Sequence, residues 1–226
     1  MAAGLQVWND ALTFQIDGST PMVTLARKGA MSSVATDFPV NSAAGSLCAV
    51  RIPTSPNEIL ATDCGYAFHM TGIRNGSAEF IIVGTTGTTM DYWVFAPHTP
   101  SGTNVGLEVY SETGALIYDT GRPPMRVVGT VEGSGTFGGF PTGRRLALVT
   151  WVQHTNIFRQ VLGGGIGLTS VSGNFSRCNQ DGTVYTSPDT SYALHEVALS
   201  PSVTSFAGTW DNGIQNKFTV LDVTGM

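Results

Sequence analysis

Residues 106–127 read GLEVYSETGALIYDTGRPPMRV, and this stretch contains the pattern that decides the fold class. Apolar and polar residues alternate on both sides of its centre, which is typical of two short β-strands. Between the two strands, SETG places Ser111 at the first and Gly114 at the fourth position of a type I turn. The stretch is therefore predicted to form a β-hairpin.

The chain opens with a degraded copy of the same phrase, GLQVWNDALTFQIDGSTPM at residues 4–22. The two copies align without a gap, and the matched positions are Gly4 with Gly106, Leu5 with Leu107, Val7 with Val109, Trp8 with Tyr110, and Asp17 with Asp119. The two aspartates are interpreted as turn residues, because a carboxylate at a strand end accepts hydrogen bonds from the next backbone N–H groups. We expect pseudo-symmetry to bring both copies of this structural repeat into one sheet system.

The rest of the chain continues as short strand-like segments separated by turn formers such as RNGS (74–77) and NQDGT (179–183). Only SPNEIL (55–60) favours a helix, of one or two turns, with Ser55 as the cap and Glu58 completing a capping box. Many short strands without alternating helices predict an all-β protein of sandwich-like architecture.

Glycine interrupts the alternation in EGSGTFGGFPTG, residues 132–143, for longer than a tight turn needs. We interpret this segment as a Gly-rich linker between two β-sandwich-like domains. The first domain, residues 1–131, is predicted to contain both hairpins of the repeat, and residues 144–226 are predicted to form a C-terminal β domain.

Charge excludes two classes of partner. The net charge is −5 and only 12% of the residues are charged, so no basic surface is available for nucleic acid or an anionic membrane. The N-terminal residues contain no signal-like segment, and no apolar run is long enough for membrane insertion, so we expect synthesis in the cytoplasm. The 3 cysteines fit no metal-binding spacing and are read as buried hydrophobic residues.

No motif of an enzyme or of a cofactor site is present, whether a GxSxG elbow, a HExxH zinc helix, a phosphate loop or an EF-hand. The 4 histidines are isolated from one another, so neither a catalytic residue, a metal site nor a cofactor is predicted. The 4 tryptophans are interpreted as core residues rather than as a sugar-stacking platform. The low charge and the mean hydropathy of +0.10 indicate surfaces that neighbouring proteins cover.

The phrases GLEVYSETGALIYDTGRPPMRVV and GLQVWNDALTFQID resemble those of uncharacterised tail-region proteins of long-tailed bacteriophages and prophages. Those proteins begin with a Gly-Leu-x-Val-aromatic strand and later carry a Gly-Leu-x-Val-Tyr phrase followed by Asp-Ser or Asp-Thr. The resemblance covers about residues 4–22 and 91–128. It implies a structural role in the virion, among tail tip, baseplate or fibre components, and it brings no catalytic residues with it.

The leading hypothesis is therefore a virion structural protein of a phage tail tip or baseplate. It would form a homo-oligomer, a trimer or a hexamer, and contact other tail, baseplate or fibre proteins. The alternative is a receptor-binding module that recognises carbohydrate or protein on the host, through its C-terminal domain. A glycan-cleaving enzyme ranks third, since it needs two carboxylates about 5–9.5 Å apart in one cleft, and the sequence indicates no such pair.

Overall fold

The computed structural model describes residues 22–36, 47–97, 101, 106–111, 113–163, 166–188, 190–198 and 208–226. These residues form short β-strands and no helix, which confirms the all-β prediction. In chain order the strands are β1 (Val23–Ser32), β2 (Val34–Ala35), β3 (Leu47–Pro53), β4 (Ile59–Asp63), β5 (Phe68–Arg74), β6 (Ser77–Val83), β7 (Thr89–Pro97), β8 (Glu108–Tyr110), β9 (Leu116–Asp119), β10 (Val127–Glu132), β11 (Gly135–Phe137), β12 (Leu146–Val152), β13 (Thr155–Gly163), β14 (Ile166–Gly173), β15 (Ser176–Cys178), β16 (Val184–Thr186), β17 (Thr190–Ala198), β18 (Gly208–Asp211) and β19 (Lys217–Asp222).

Two antiparallel sheets pack face to face as a sandwich. The six-stranded sheet has the order β1-β7-β4-β12-β19-β10, and the seven-stranded sheet has the order β11-β16-β15-β5-β6-β3-β2. Phe68 and Phe80 of the seven-stranded sheet meet edge to face, with ring centroids 5.9 Å apart. They share one core with Leu148 and Phe218 of the six-stranded sheet. Large apolar side chains on the inner faces thus join the two sheets into one sandwich.

The predicted linker at residues 132–143 does not divide this core. Both sheets take strands from either side of it, because β12 pairs with β4 in the six-stranded sheet and β15 pairs with β5 in the seven-stranded sheet. Strand β11 lies within the predicted linker and pairs with β16. Gly133 and Gly139 have φ of 90° and 93°, so they supply the left-handed conformation of the turns on both sides of β11. The glycines that suggested a linker between two domains therefore shape the edge of a sheet.

The predicted short helix at SPNEIL is absent, and residues 55–58 form a single hydrogen-bonded β-turn instead. The N–H of Glu58 donates to the carbonyl of Ser55 at 3.0 Å, and the Glu58 side chain accepts from the N–H of Ser55 at 2.9 Å. The bond from the Glu58 side chain to the cap is thus present, but β4 begins at Ile59 and no second turn follows. In the described part of the chain, no helix is long and apolar enough to cross a membrane.

The outer face of the six-stranded sheet is also buried. Trp93, Phe95 and Leu221 belong to a second apolar cluster there, and Val23 and Met125 pack against it. A segment that follows the β8–β9 hairpin runs along β1, with the N–H of Met125 donating to the carbonyl of Val23 at 3.0 Å. In the gapless alignment of the repeat these two residues occupy equivalent positions. Two copies of a repeat that are related by a local two-fold axis contact each other antiparallel at equivalent positions, and the contact between Val23 and Met125 has this arrangement.

A separate four-stranded sheet has the order β17-β14-β13-β18. Its long central hairpin pairs β13 with β14 from Thr155 opposite Gly173 to Gly163 opposite Ile166. Of the large apolar residues of β13 and β14 whose side chains are described, none is fully buried, although Val171 packs against the buried cluster of Leu47, Ile81 and Phe175. This sheet therefore contrasts with the two sheets of the sandwich, whose inner faces are covered.

Candidate functional site

The second copy of the repeat forms the predicted hairpin. Strands β8 and β9 are antiparallel, and the N–H of Gly114 donates to the carbonyl of Ser111 at 3.0 Å across the four-residue turn. The Ser111 hydroxyl also accepts from the N–H of Ala115 at 3.0 Å. The local turn chemistry of SETG is thus present as predicted. The first copy, with Gly4, Leu5, Val7, Trp8 and Asp17, lies outside the described residues.

Asp119 forms the Asx-turn that the sequence predicts. Its buried carboxylate accepts from the N–H of Gly121 at 2.7 Å and from the N–H of Ser101 at 2.6 Å. Hydrogen bonds from Ser101 and Gly121 lower the pKa of Asp119, with a smaller contribution from the Arg122 guanidinium. A carboxylate held ionised by backbone donors joins chain segments and has no free proton for acid catalysis.

The hairpin exposes an apolar side chain on each of its two faces. Gly106 opens the phrase, and Leu107 and Tyr110 are exposed on opposite faces whereas Val109 is half-buried. On the opposite strand Ile117 and Asp119 are buried. The alternation of β8 therefore does not bring Leu107 into the core, and the pairing slips by one residue between Val109 and Tyr110. This part of the repeat offers a contact surface rather than a reactive group.

The main candidate site is a cleft of about 640 Å³ at one end of the sandwich. It lies where β4 ends and where β7 and β12 begin, with the turn after β15 as its opposite wall. Its polar side chains include Asp63, Asp91, Arg144, Arg145, Asn179 and Gln180. The cleft thus collects charged and amide groups from both sheets.

Arg145 is the centre of this polar cluster. Its guanidinium contacts the Asp91 carboxylate directly and lies 3.6 Å from the Asp63 carboxylate through Nε. The same group stacks over the buried Trp93 ring, 4.9 Å from the ring centroid. Thr224 accepts the Arg145 backbone N–H at 2.8 Å through its hydroxyl. Two ion pairs and one cation–π contact therefore fix the guanidinium in the cleft.

The two carboxylates of the cleft are cross-strand neighbours, because Asp63 of β4 lies opposite Asp91 of β7. Burial raises the pKa of Asp63, and the Asp91 charge adds to the rise, whereas the N–H of Gly65 and the Arg145 guanidinium oppose it. Two like charges side by side are unfavourable, and the guanidinium that contacts both reduces their repulsion. No spacing in the sequence indicates this cluster, since its members come from distant segments of the chain.

Two thiols also line the cleft. Burial raises the pKa of the Cys64 thiol to about 12 and that of Cys178 well above its ordinary value. The Cys64 thiol donates to the carbonyl of Tyr66 at 3.2 Å. Both cysteines are therefore protonated at neutral pH, and neither is activated as a nucleophile.

A second polar cluster joins the four-stranded sheet to the sandwich. His154 Nε2 lies 2.7 Å from the Asp211 carboxylate, and the N–H of Gly213 together with His154 lowers the pKa of Asp211. Nearby, the buried Asn174 side chain donates to the carbonyl of Ser187 at 2.5 Å. These bonds tie the β12–β13 connection to the end of β18, and the β14–β15 connection to the residue that follows β16. We read the cluster as structural.

The tryptophans do not form a platform in the described part of the chain. Trp93 is buried, as predicted for a core residue, whereas Trp151 is 55% exposed and donates to the Thr219 hydroxyl at 2.7 Å. Among the described residues, no group of three or more His, Cys, Asp or Glu side chains could hold a metal ion. Comparison with protein-family models, with curated protein sequences and with solved structures finds no match for this chain.

Proposed function

We propose that this chain is a structural protein of a phage tail tip or baseplate, which acts by assembling with copies of itself and with neighbouring tail or fibre proteins. The observation that supports the proposal is the four-stranded sheet beside the sandwich. A sheet needs a covered hydrophobic face for stability, and this one carries uncovered apolar side chains. The phage tail is proposed as the place of assembly because the hairpin phrases resemble those of phage tail-region proteins.

Two exposed large apolar residues share one face of the four-stranded sheet. Phe158 is 43% exposed and pairs with Ser170, and Ile166, which is 42% exposed, lies four residues before Ser170 on β14, on the same face. Val161, three residues after Phe158, lies on the opposite face. A neighbouring subunit that covers the sheet would remove this apolar surface from water, which favours association.

The virion role is tested on purified particles of a phage that encodes this chain. Immunogold electron microscopy with an antibody against the chain is expected to label the distal end of the tail. Label on the axis would indicate a tail tip or baseplate component, and label on fibres would indicate the receptor-binding alternative. Intact particles that contain no detectable copy of the chain would contradict the proposal.

Self-assembly is tested separately by sedimentation of the free protein. We expect a trimer or hexamer, and we expect the double variant Phe158→Ser/Ile166→Ser to dissociate. Ile73→Ser is the matched control, since Ile73 is 64% exposed but lies on β5, away from the four-stranded sheet. A monomeric wild-type protein, or an oligomer that tolerates the double variant, would count against assembly through this sheet.

A further inference from the structure

The cleft at the end of the sandwich has the size and the chemistry of a ligand site. Its volume of about 640 Å³ lies inside the range of roughly 300–1,000 Å³ that is usual for small-molecule sites. Its polar wall consists of planar groups, the carboxylates of Asp63 and Asp91, two guanidiniums, and the amides of Asn179 and Gln180. These groups present hydrogen-bond donors and acceptors side by side.

The charges of the cleft determine which ligands fit. Two carboxylates and the guanidiniums of Arg144 and Arg145 cancel formally. A free anion would be repelled by the carboxylates of Asp63 and Asp91. A free cation would be repelled by the Arg145 guanidinium, which already contacts both carboxylates. A neutral ligand with adjacent hydroxyls avoids both conflicts. Each hydroxyl can donate to a carboxylate and accept from a guanidinium or amide N–H.

Arg145 and Asn179 of the cleft wall are held in place before a ligand binds. Arg145 is held by Asp63, Asp91 and the ring of Trp93. On the opposite wall the Asn179 amide donates to the Thr183 hydroxyl at 2.8 Å. Groups that are already ordered lose little conformational entropy on binding, so their hydrogen bonds contribute more to affinity.

We propose that this cleft binds a neutral saccharide unit through Asp91, Arg145 and Gln180. Binding rather than cleavage follows from Arg145, which lies between the two carboxylates where a hydrolytic mechanism needs the glycosidic bond. The inference does not depend on the assembly role proposed above, because it concerns the end of the sandwich and can be tested on the free protein.

Saturation-transfer NMR and calorimetry on the full chain test this site. The probes are glucose, galactose, mannose, rhamnose and N-acetylglucosamine with their homodisaccharides, and glucuronate, glucosamine and inorganic phosphate serve as charged counterparts. We expect at least one neutral saccharide to bind and each charged counterpart to bind more weakly. Binding of none of the neutral saccharides, or tighter binding of a charged counterpart, would overturn the proposal.

Three variants separate binding from folding. Asp91→Asn removes a charged acceptor and is expected to weaken saccharide binding about tenfold, while Gln180→Ala removes a neutral group and weakens it about threefold. Gln180 is exposed in a turn, so its truncation leaves the fold intact. Arg177→Lys is the control, because Arg177 stacks on Tyr185 and does not line the cleft. Binding that persists unchanged in both cleft variants would also overturn the proposal.

Discussion

Replacing Phe218 by Ala tests whether the chain has one core across residues 132–143. Phe218 is 0% exposed and packs in the cluster that contains Cys48 and Leu148. Truncation of a fully buried Phe to Ala costs about 3–5 kcal/mol, which is a large part of the roughly 5–15 kcal/mol stability of a typical domain. With about 2–4 °C per kcal/mol for a chain of this size, the Tm should fall by about 6–20 °C.

The readout is the thiol of Cys48, which is fully buried in the first half of the chain. In a Cys64→Ala/Cys178→Ala background, only Cys48 can react with an aromatic disulfide reagent. When opening and closing are fast, labelling follows the population of the open state, so Phe218→Ala should accelerate it by about two to four powers of ten. Ile73→Ala is the control, since Ile73 is 64% exposed and lies away from the four-stranded sheet, and an exposed residue changes stability by about 0.5 kcal/mol or less. Two domains that unfold independently would be indicated if Phe218→Ala left Cys48 labelling unchanged and lowered the Tm of a separate unfolding transition.

Two further substitutions test close contacts described above. Gly173→Ala should destabilise the fold by about 1–3 kcal/mol, because a Cβ there would lie 2.5 Å from Cε1 of the buried His69. Urea unfolding measures this loss, and an unchanged midpoint would contradict the close packing of Gly173 against His69. Asp119→Asn should lower stability at pH 7 and weaken the dependence of stability on pH in acid. The lowered pKa of Asp119 stabilises the folded protein above pH 3.8, and this contribution is lost as the pH falls through the folded-state pKa. A variant that keeps the acid dependence of the wild type in thermal melts from pH 7 to pH 2 would refute the role of the Ser101 and Gly121 hydrogen bonds.

Local features were predictable from the sequence because they depend on neighbours in the chain. The turn from Ser111 to Gly114 and the Asx-turn of Asp119 involve bonds that short spacing determines. The linker prediction treated the glycines as a break between two domains, whereas Gly133 has a positive φ beside a paired strand. Composition alone does not separate these two uses of glycine.

The cleft could not be predicted for a different reason. Asp63 and Asp91 become neighbours only through the pairing of β4 with β7, and Arg145 reaches them only because β12 adds to the other side of β4. Strand pairing over such distances in the chain is set by packing of the whole sandwich, and no spacing in the sequence encodes it. The burial that raises the pKa of Asp63 likewise depends on the folded neighbours.

The position of β19 affects the order in which the protein can fold during synthesis. This strand pairs with β10 on one side and with β12 on the other. A ribosome delivers those two strands first, so their edges stay unpaired in the nascent chain until residues 217–222 emerge. Unpaired edges attract strands from other chains, and pairing across long sequence distances is slow. Slower synthesis would extend this vulnerable interval, whereas holdase chaperones that cover β10 and β12 would protect the unfinished sheet.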